Sequence, residues 1–284
     1  TSQAAPEPRG GFDTPTKTAL AITVLLLALR LVLSQAMGYG DSEALYASYA
    51  LFKQATYLDH PGLIGWVGRW IADADGVPSP ITAHRLTTAA ALALPWIGGI
   101  AARAAGASSR GIMWTVVALA VTPELAVGLF AYTPDVLLGL CWVASLAAAL
   151  DALRAEPGST RSLGGTVAAF GLAALGTTAK VSGVLLLGAL LLTWLSKGER
   201  KRWRTSAPWA GVLCASLVTA PMVVREAGLG WPMLQHRLVA TQAGFGPTLR
   251  NVGALIGGQL LYVTPFVLFG AVLVGRDLVR THRQ

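Results

Sequence analysis

Residues 18–37 have the sequence TALAITVLLLALRLVLSQAM, in which Arg30 is the single ionisable side chain. A stretch of this length and apolarity is typical of a helix that spans a bilayer, which needs about 20 mainly apolar residues. Similar stretches recur to the end of the chain, and 54% of its 284 residues are hydrophobic while 13% are charged. A soluble core does not need so many, so the sequence predicts an all-α integral membrane protein.

We predict a bundle of about eight transmembrane helices. The predicted spans are residues 18–37, 86–102, 111–131, 136–153, 163–178, 181–195, 207–224 and 252–274. The fifth and sixth spans are short, and hydropathy alone would also permit one span there. Arg154 and Arg161 precede this pair and five basic residues between Lys197 and Arg204 follow it. Basic loops favour the cytoplasm, so two crossings are needed.

The same rule predicts which segments lie on each side of the membrane. Both termini are expected in the cytoplasm, with residues 1–17 as a disordered cytosolic tail and residues 18–284 as the transmembrane domain. The loops 38–81 and 225–250 are then extracytoplasmic, in a multi-pass protein of the inner (cytoplasmic) membrane. The net charge of +8 is spread over short loops, which is typical of orientation signals and does not favour nucleic-acid binding.

The first extracytoplasmic loop, residues 38–81, is too polar to span. Apolar residues nevertheless recur at helical spacing over residues 43–54 and 62–72. We therefore predict two interfacial helices that lie on the membrane surface.

Ionisable residues from four separate connections fall on or near the predicted outer face. They are Asp41, Glu43, Asp59, His60, Asp135, Lys180, His236 and Arg237. Any one of them could be an ordinary solvated loop charge. Asp135 and Lys180 lie in short connections between apolar spans, where an ionisable group is costly unless it is paired or faces a polar cavity. This position favours a functional role for the two residues.

The segments GDSEALY at 40–46 and YLDHP at 57–61 resemble the first extracytoplasmic loop of polyprenyl-phosphate-dependent glycosyltransferases of the GT-C superfamily. The resemblance is to the branch of protein O-mannosyltransferases and lipid A aminoarabinose transferases, over the N-terminal two-thirds of their usual chain. Asp41 and Glu43 occupy its acidic pair, although Ser42 separates them, and Gly62 replaces a usual second proline. Further matching positions follow in order: Arg85, Pro123, 133–135, Lys180, Pro221 and 259–265.

This resemblance implies a hexosyl- or pentosyltransferase that moves a sugar from a polyprenyl phosphate to an acceptor lipid, glycan or protein, with inversion. Asp41 is the implied general base, and Glu43 is the second catalytic candidate and the better structural partner. The implied donor-phosphate ligands are His60, Lys180 and Arg237, and the implied substrate contacts are Tyr46, Asp59 and Asp135. Relatives sometimes need a divalent metal cation, for which Asp59 and His236 could be ligands, although a hydrogen bond between them is an alternative.

Several of these residues also have structural interpretations. Asp41 could cap the helix that begins at Ser42, and two residues two apart on a helix point to different sides, so Asp41 and Glu43 should not share one site. Asp59 should favour the charged form of His60, which could also mark a helix entry before Pro61.

Arg30 could face a headgroup phosphate or the bundle interior, and pairing with other helices is the simplest interpretation of both Arg30 and Glu124. The alternatives to an enzyme are a transporter and a non-catalytic membrane subunit with the same fold. A transporter should carry more ionisable residues near the membrane centre than Arg30 alone, which favours the enzyme.

Overall fold

A computed structural model describes residues 13–242, 246, 248–263, 268–273 and 276. Across these residues the chain forms helices and no strand, apart from an isolated antiparallel bridge between Thr56 and Pro61. The helices are α1 (Thr14–Ala36), α2 (Asp41–Ser48), α3 (Leu63–Trp70), α4 (Pro80–Ala104), α5 (Ser109–Val121), α6 (Pro123–Ala126), α7 (Pro134–Arg154), α8 (Thr160–Ala179), α9 (Val184–Leu195), α10 (Ser206–Leu229), α11 (Pro232–Leu238) and α12 (Leu249–Val263).

Within the described ranges, five helices are long and apolar enough to cross a membrane: α1, α4, α7, α8 and α10. A sixth span would be formed by α5 and the following segment Pro123–Phe130, which are bent by 68° relative to each other. The segment Val181–Leu195 is apolar but shorter. The all-α membrane class is therefore confirmed, whereas the predicted count of eight is not, and the predicted span 252–274 lies partly outside the described residues.

Helix α1 begins earlier than expected. The Asp13 carboxylate accepts a hydrogen bond from the Thr16 N–H (3.1 Å), and Pro15 lies in the first turn, where its missing N–H has no cost. Residues 14–17, which the sequence predicts to be part of the N-terminal tail, lie in the first turn of α1, and residues 1–12 lie outside the described residues.

The break after α5 is stabilised by Arg30 of α1. Thr122 precedes Pro123 and has extended backbone angles, which ends α5. The Arg30 guanidinium is buried and donates to the carbonyl oxygens of Leu125 (2.9 Å), Ala126 (2.7 Å) and Leu129 (3.3 Å). Arg30 therefore lies in the bundle interior and satisfies carbonyls that the break leaves without helical partners. Glu124 is exposed and forms no ion pair with another described residue, contrary to the expected pairing.

Residues 37–79, between α1 and α4, cover one end of the bundle, which we call the loop end. Helices α2 and α3 correspond to the two predicted interfacial helices. The buried residues Tyr49, Tyr57, Ile64 and Tyr132 form a cluster that packs this segment against the start of α7. Glycine at position 65 allows the close approach, because a Cβ there would lie 2.3 Å from the Tyr57 hydroxyl.

The other end of the bundle, the basic end, is closed by Arg202. This buried residue follows α9 and donates to the carbonyl oxygens of Ala152 (3.2 Å), Leu153 and Ala155 (3.1 Å) at the end of α7. It also donates to the Ser162 hydroxyl of α8 (3.2 Å). Arg202 thus satisfies the carbonyls that a helix C-terminus leaves open and joins α7 to α8.

Candidate functional site

Glu43 fixes the start of α2 to two other elements. Its Oε2 accepts from the Gly40 N–H (3.0 Å), which closes the first turn of the helix. Its Oε1 accepts from the His84 Nε2–H of α4 (2.9 Å) and from the Tyr132 N–H just before α7 (2.7 Å). Glu43 is therefore engaged in holding the loop end together.

Asp41 has different surroundings, although it is the first residue of the same helix. Gly40 occupies the N-cap position, so Asp41 is not the cap that the sequence offered as an alternative role. Its side chain is exposed and forms no hydrogen bond or ion pair with any described residue. A carboxylate in the first turn of a helix is favoured by the helix dipole, and this one keeps its lone pairs available.

Asp135 and Lys180 form an ion pair between α7 and the residue that follows α8. The Lys180 Nζ donates to the Asp135 Oδ1 at 2.6 Å, and the side chains are 35% and 46% exposed, respectively. The pairing lowers the cost that either charge would have alone beside an apolar span. The ammonium group has three donors, so Lys180 can hold Asp135 and still donate to a ligand oxygen.

His60 is buried and neutral, not the cation that the sequence suggested. Its pKa is lowered to about 4, mainly by burial; the charges of Arg237 and Lys180 also lower the pKa, and those of Asp135 and Asp59 raise it less. The Arg237 guanidinium donates to the His60 Nε2, which must therefore accept and carry no proton. The expectation that Asp59 keeps His60 charged is wrong because burial outweighs the neighbouring carboxylate.

Helix α11 is attached to the loop end through Asp59 and His60. The Asp59 Oδ1 lies 3.0 Å from the His236 Nε2, and the Asp59 carbonyl accepts from the Arg237 Nε. A helix of seven residues is marginal alone, so these contacts determine where Arg237 lies. At the other end of α11, the buried Glu226 accepts from the Met233 N–H (3.1 Å).

Asp59 and His236, the two residues that could be metal ligands, lie within hydrogen-bond distance of each other. They face each other directly, and no group of three or more His, Cys, Asp or Glu side chains that could hold a metal occurs within the described residues. A hydrogen bond accounts for this pair, so we assign no step to a divalent cation.

The structure brings seven of the predicted residues into one group, which we call the loop-end cluster: Tyr46, Asp59, His60, Asp135, Lys180, His236 and Arg237. The Tyr46 ring packs edge-on against the His60 ring, with centroids 5.4 Å apart. Burial raises the pKa of Tyr46, which also lies within electrostatic range of Arg237, Asp59 and Asp135. Asp41 and Glu43 make no direct contact with this cluster among the contacts of the described residues.

Sequence reasoning missed His84, Arg225 and Glu226. His84 is fully buried in α4, the Arg225 guanidinium donates to the Gln54 side chain of the loop (2.7 Å), and Glu226 supports α11. Each is an ionisable residue at the loop end, directly beside a predicted span. The cost of a charge there was the signal that could have identified them.

Residues 59–224, more than half of the chain, match the family model of dolichyl-phosphate-mannose-protein mannosyltransferases. No curated protein and no solved structure matches the chain. The matched range includes Asp59, His60, Asp135 and Lys180, whereas Asp41, Glu43, His236 and Arg237 lie outside it.

Proposed function

The chain belongs to the dolichyl-phosphate-mannose-protein mannosyltransferase family, and from this premise we propose that it transfers a sugar from a polyprenyl phosphate to an extracytoplasmic acceptor. The acceptor is a lipid, a glycan or a protein, and the reaction inverts the anomeric carbon. Membership of the family, together with the apolar helices, makes the chain a multi-pass membrane glycosyltransferase. The donor, the base and the side of the membrane are our proposals.

The observation that carries the proposed mechanism is the contrast between Asp41 and Glu43. Glu43 uses its carboxylate to fix the first turn of α2, while Asp41 in the same turn is exposed and has no partner among the described residues. A general base needs free lone pairs within reach of the acceptor and a backbone that does not move. Asp41 has the free lone pairs, and Glu43 holds the first turn of α2 in place.

In the proposed reaction Asp41 takes the proton of the acceptor hydroxyl or amine as its oxygen or nitrogen bonds to the anomeric carbon. The bond from that carbon to the phosphate oxygen breaks on the opposite face, and the polyprenyl phosphate leaves with the electron pair. Lys180 and Arg237 stabilise the developing negative charge. His60 acts through Arg237, whose guanidinium it orients as a neutral acceptor, and Tyr46, Asp59 and Asp135 line the donor side.

We place the loop end outside the cytoplasmic membrane and both termini in the cytoplasm. Basic residues lie at one end of the bundle, in the last turns of α4 and α7, in the first turn of α8 and after α9. Short loops rich in Lys and Arg are typical of the cytoplasmic side. Trp66 and Trp70 of α3 are 49% and 80% exposed, as suits aromatic residues at a membrane surface. With the bent pair, Val181–Leu195 and residues 252–274 as further spans, the total would be the eight that the sequence predicts.

Arg30 argues against the transporter alternative. Its guanidinium donates to three backbone carbonyls, so it is committed to the fold and is not available to a substrate path.

The first prediction tests Asp41 as the base. Membranes that contain Asp41→Asn should transfer radiolabelled mannose from polyprenyl phosphate mannose at least about 100-fold more slowly than the parent, because general-base catalysis contributes about 10²–10⁴-fold. The matched control is Asp75→Asn, an exposed acid of the same loop, which should retain parental activity. Equal transfer by Asp41→Asn and the parent would overturn the assignment, and no transfer by the parent with any polyprenyl phosphate sugar would favour the non-catalytic subunit.

A further inference from the structure

A cavity of about 520 Å³ lies at the basic end, between α4, α7 and α8. Arg103, Arg154 and Arg161 line it together with Asp151. These residues are the last turn of α4, the last turn of α7 and the first turn of α8. None of them belongs to the loop-end cluster, which lies at the opposite end of the same helices.

Two of the three arginines have no partner in the described part of the chain. The Arg161 Nε donates to the Asp151 Oδ2 (3.0 Å), and its Nη2 donates to Oδ1, so these two charges compensate each other. Arg103 and Arg154 form neither a hydrogen bond nor an ion pair with another described residue. Among the described residues, the cavity therefore presents two guanidinium groups without a carboxylate partner.

Arg154 packs against the turn between α4 and α5. Gly106 in this turn has a φ of +92°, and a Cβ there would lie 2.3 Å from the Arg154 Nη2. The close packing holds the guanidinium beside the end of α4, where Arg103 is located. Arg154 therefore lies beside the turn that follows α4, and Arg103 lies in the last turn of α4.

The other wall of the cavity is apolar and lies closer to the middle of the helices. It is formed by Ile100, Ala147 and Ala148. Ile100 precedes Arg103 by about one helical turn, and Ala147 precedes Arg154 by about two turns, since a turn takes about 3.6 residues. The cavity therefore changes from cationic at the helix ends to apolar towards the centre of the spans.

A preference for basic cytoplasmic loops explains why arginines occur at this end. It does not explain why these arginines line one cavity, since Arg110, Lys197, Arg200 and Arg204 at the same end do not line it. Nor does it explain an apolar wall beneath the charges. A free phosphate ion would use the guanidinium groups but not that wall.

We propose that this cavity binds the headgroup of an anionic phospholipid from the adjacent leaflet. The lipid phosphate would accept hydrogen bonds from Arg103 and Arg154, since guanidinium groups bind phosphate oxygens in a bidentate manner. The beginning of an acyl chain would contact Ile100 and Ala147. Basic pockets between transmembrane helices bind anionic headgroups in this way.

The experiment is native mass spectrometry of the purified full chain with phosphatidylglycerol or phosphatidylcholine. The parent should retain phosphatidylglycerol in preference to phosphatidylcholine. The double variant Arg103→Gln/Arg154→Gln should lose that preference by about 10-fold or more, because each basic residue contributes about 1 kcal/mol to binding an anionic lipid. The matched control, Arg200→Gln/Arg204→Gln, removes the same charge at the same end and should bind like the parent.

A second variant covers the case in which the double variant fails to fold. Ile100 lies about one turn from the end of α4, where a charge costs less than at the membrane centre, so Ile100→Asp should fold while it places a negative charge in the apolar wall, and it should also lose the preference. Equal loss in the control pair would overturn the proposal in favour of bulk charge. Parental binding by Ile100→Asp, or displacement of the lipid by inorganic phosphate alone, would also overturn it.

Discussion

The Glu43 carboxylate accepts hydrogen bonds from three donors in three different parts of the chain. The number of donors determines how much stability its substitution should cost. A glutamine offers one acceptor oxygen and turns an NH2 group towards the remaining donors. We predict that Glu43→Gln lowers the thermal unfolding midpoint in detergent, consistent with a loss of about 1–3 kcal/mol for an unsatisfied buried group. Asp41→Asn should leave the midpoint unchanged, and equal shifts in both variants would contradict these separate roles.

His60 should make the stability of the protein depend on acidity. Its pKa of about 4 in the folded protein lies below the ordinary value of 6.5, so the unfolded chain takes up the proton first as the pH falls. The stabilisation is therefore complete above pH 6.5 and is lost progressively as the pH falls from 6.5 towards 4. We predict that the unfolding midpoint of the parent falls over this range.

The matched variant for this measurement is His60→Gln, which can still accept from Arg237 but does not titrate. Its unfolding midpoint should fall less than that of the parent between pH 6.5 and 4. The carboxylates of Asp59 and Asp135, and His236, remain in both proteins, so their contribution cancels in the comparison. Parallel pH profiles would show that His60 does not titrate in this way.

Individual residues of the site were predictable only in part. The distribution of basic residues among the loops predicted that Asp135, Lys180, Asp59 and Arg237 lie on the same side of the membrane. The structure brings these four residues together at the loop end. The bond between Glu43 and His84 was not predictable, because the two residues are 41 positions apart and only the tertiary fold brings them together. The charge state of His60 was predicted wrongly because a neighbouring carboxylate is visible in a sequence and burial is not.

At the scale of helices, the break between α5 and α6 depends on Arg30. Replacing Arg30 with methionine should lower the unfolding midpoint strongly, since hydrogen bonds to charged groups contribute about 1.5–3 kcal/mol each and three carbonyls would lose their donor. Fluorescence-monitored thermal unfolding in detergent measures this change. Leu29→Met, at a neighbouring position that is 51% exposed, is the control and should behave like the parent.

The lengths of the apolar stretches predicted well where most long helices lie. They did not predict the break between α5 and α6. Apolar residues run through 111–131 and gave one predicted span, while Pro123 was noted only as part of a resemblance. A proline ends a helix locally, but whether the chain then continues straight or bends depends on what satisfies the freed carbonyls. Here that donor comes from α1, which is distant in sequence.

For the whole molecule, the proposed orientation predicts which surface positions a membrane-impermeant reagent can reach. In a chain whose own cysteines are replaced, Ala74→Cys in the outer loop should react with an impermeant maleimide in intact cells. Ala107→Cys, in the exposed turn between α4 and α5, should react only after the cells are permeabilised. Labelling of Ala107→Cys in intact cells would reverse the proposed orientation.

The closure of the basic end by Arg202 also has a consequence for biogenesis. The carbonyls at the end of α7 and the hydroxyl of Ser162 all precede Arg202 in the chain. The ribosome therefore makes α7 and α8 before Arg202, the donor that they share, exists. Insertion of the α7 and α8 hairpin cannot by itself complete this end of the protein, and a nascent chain stopped before residue 202 would leave it open to water or to a chaperone.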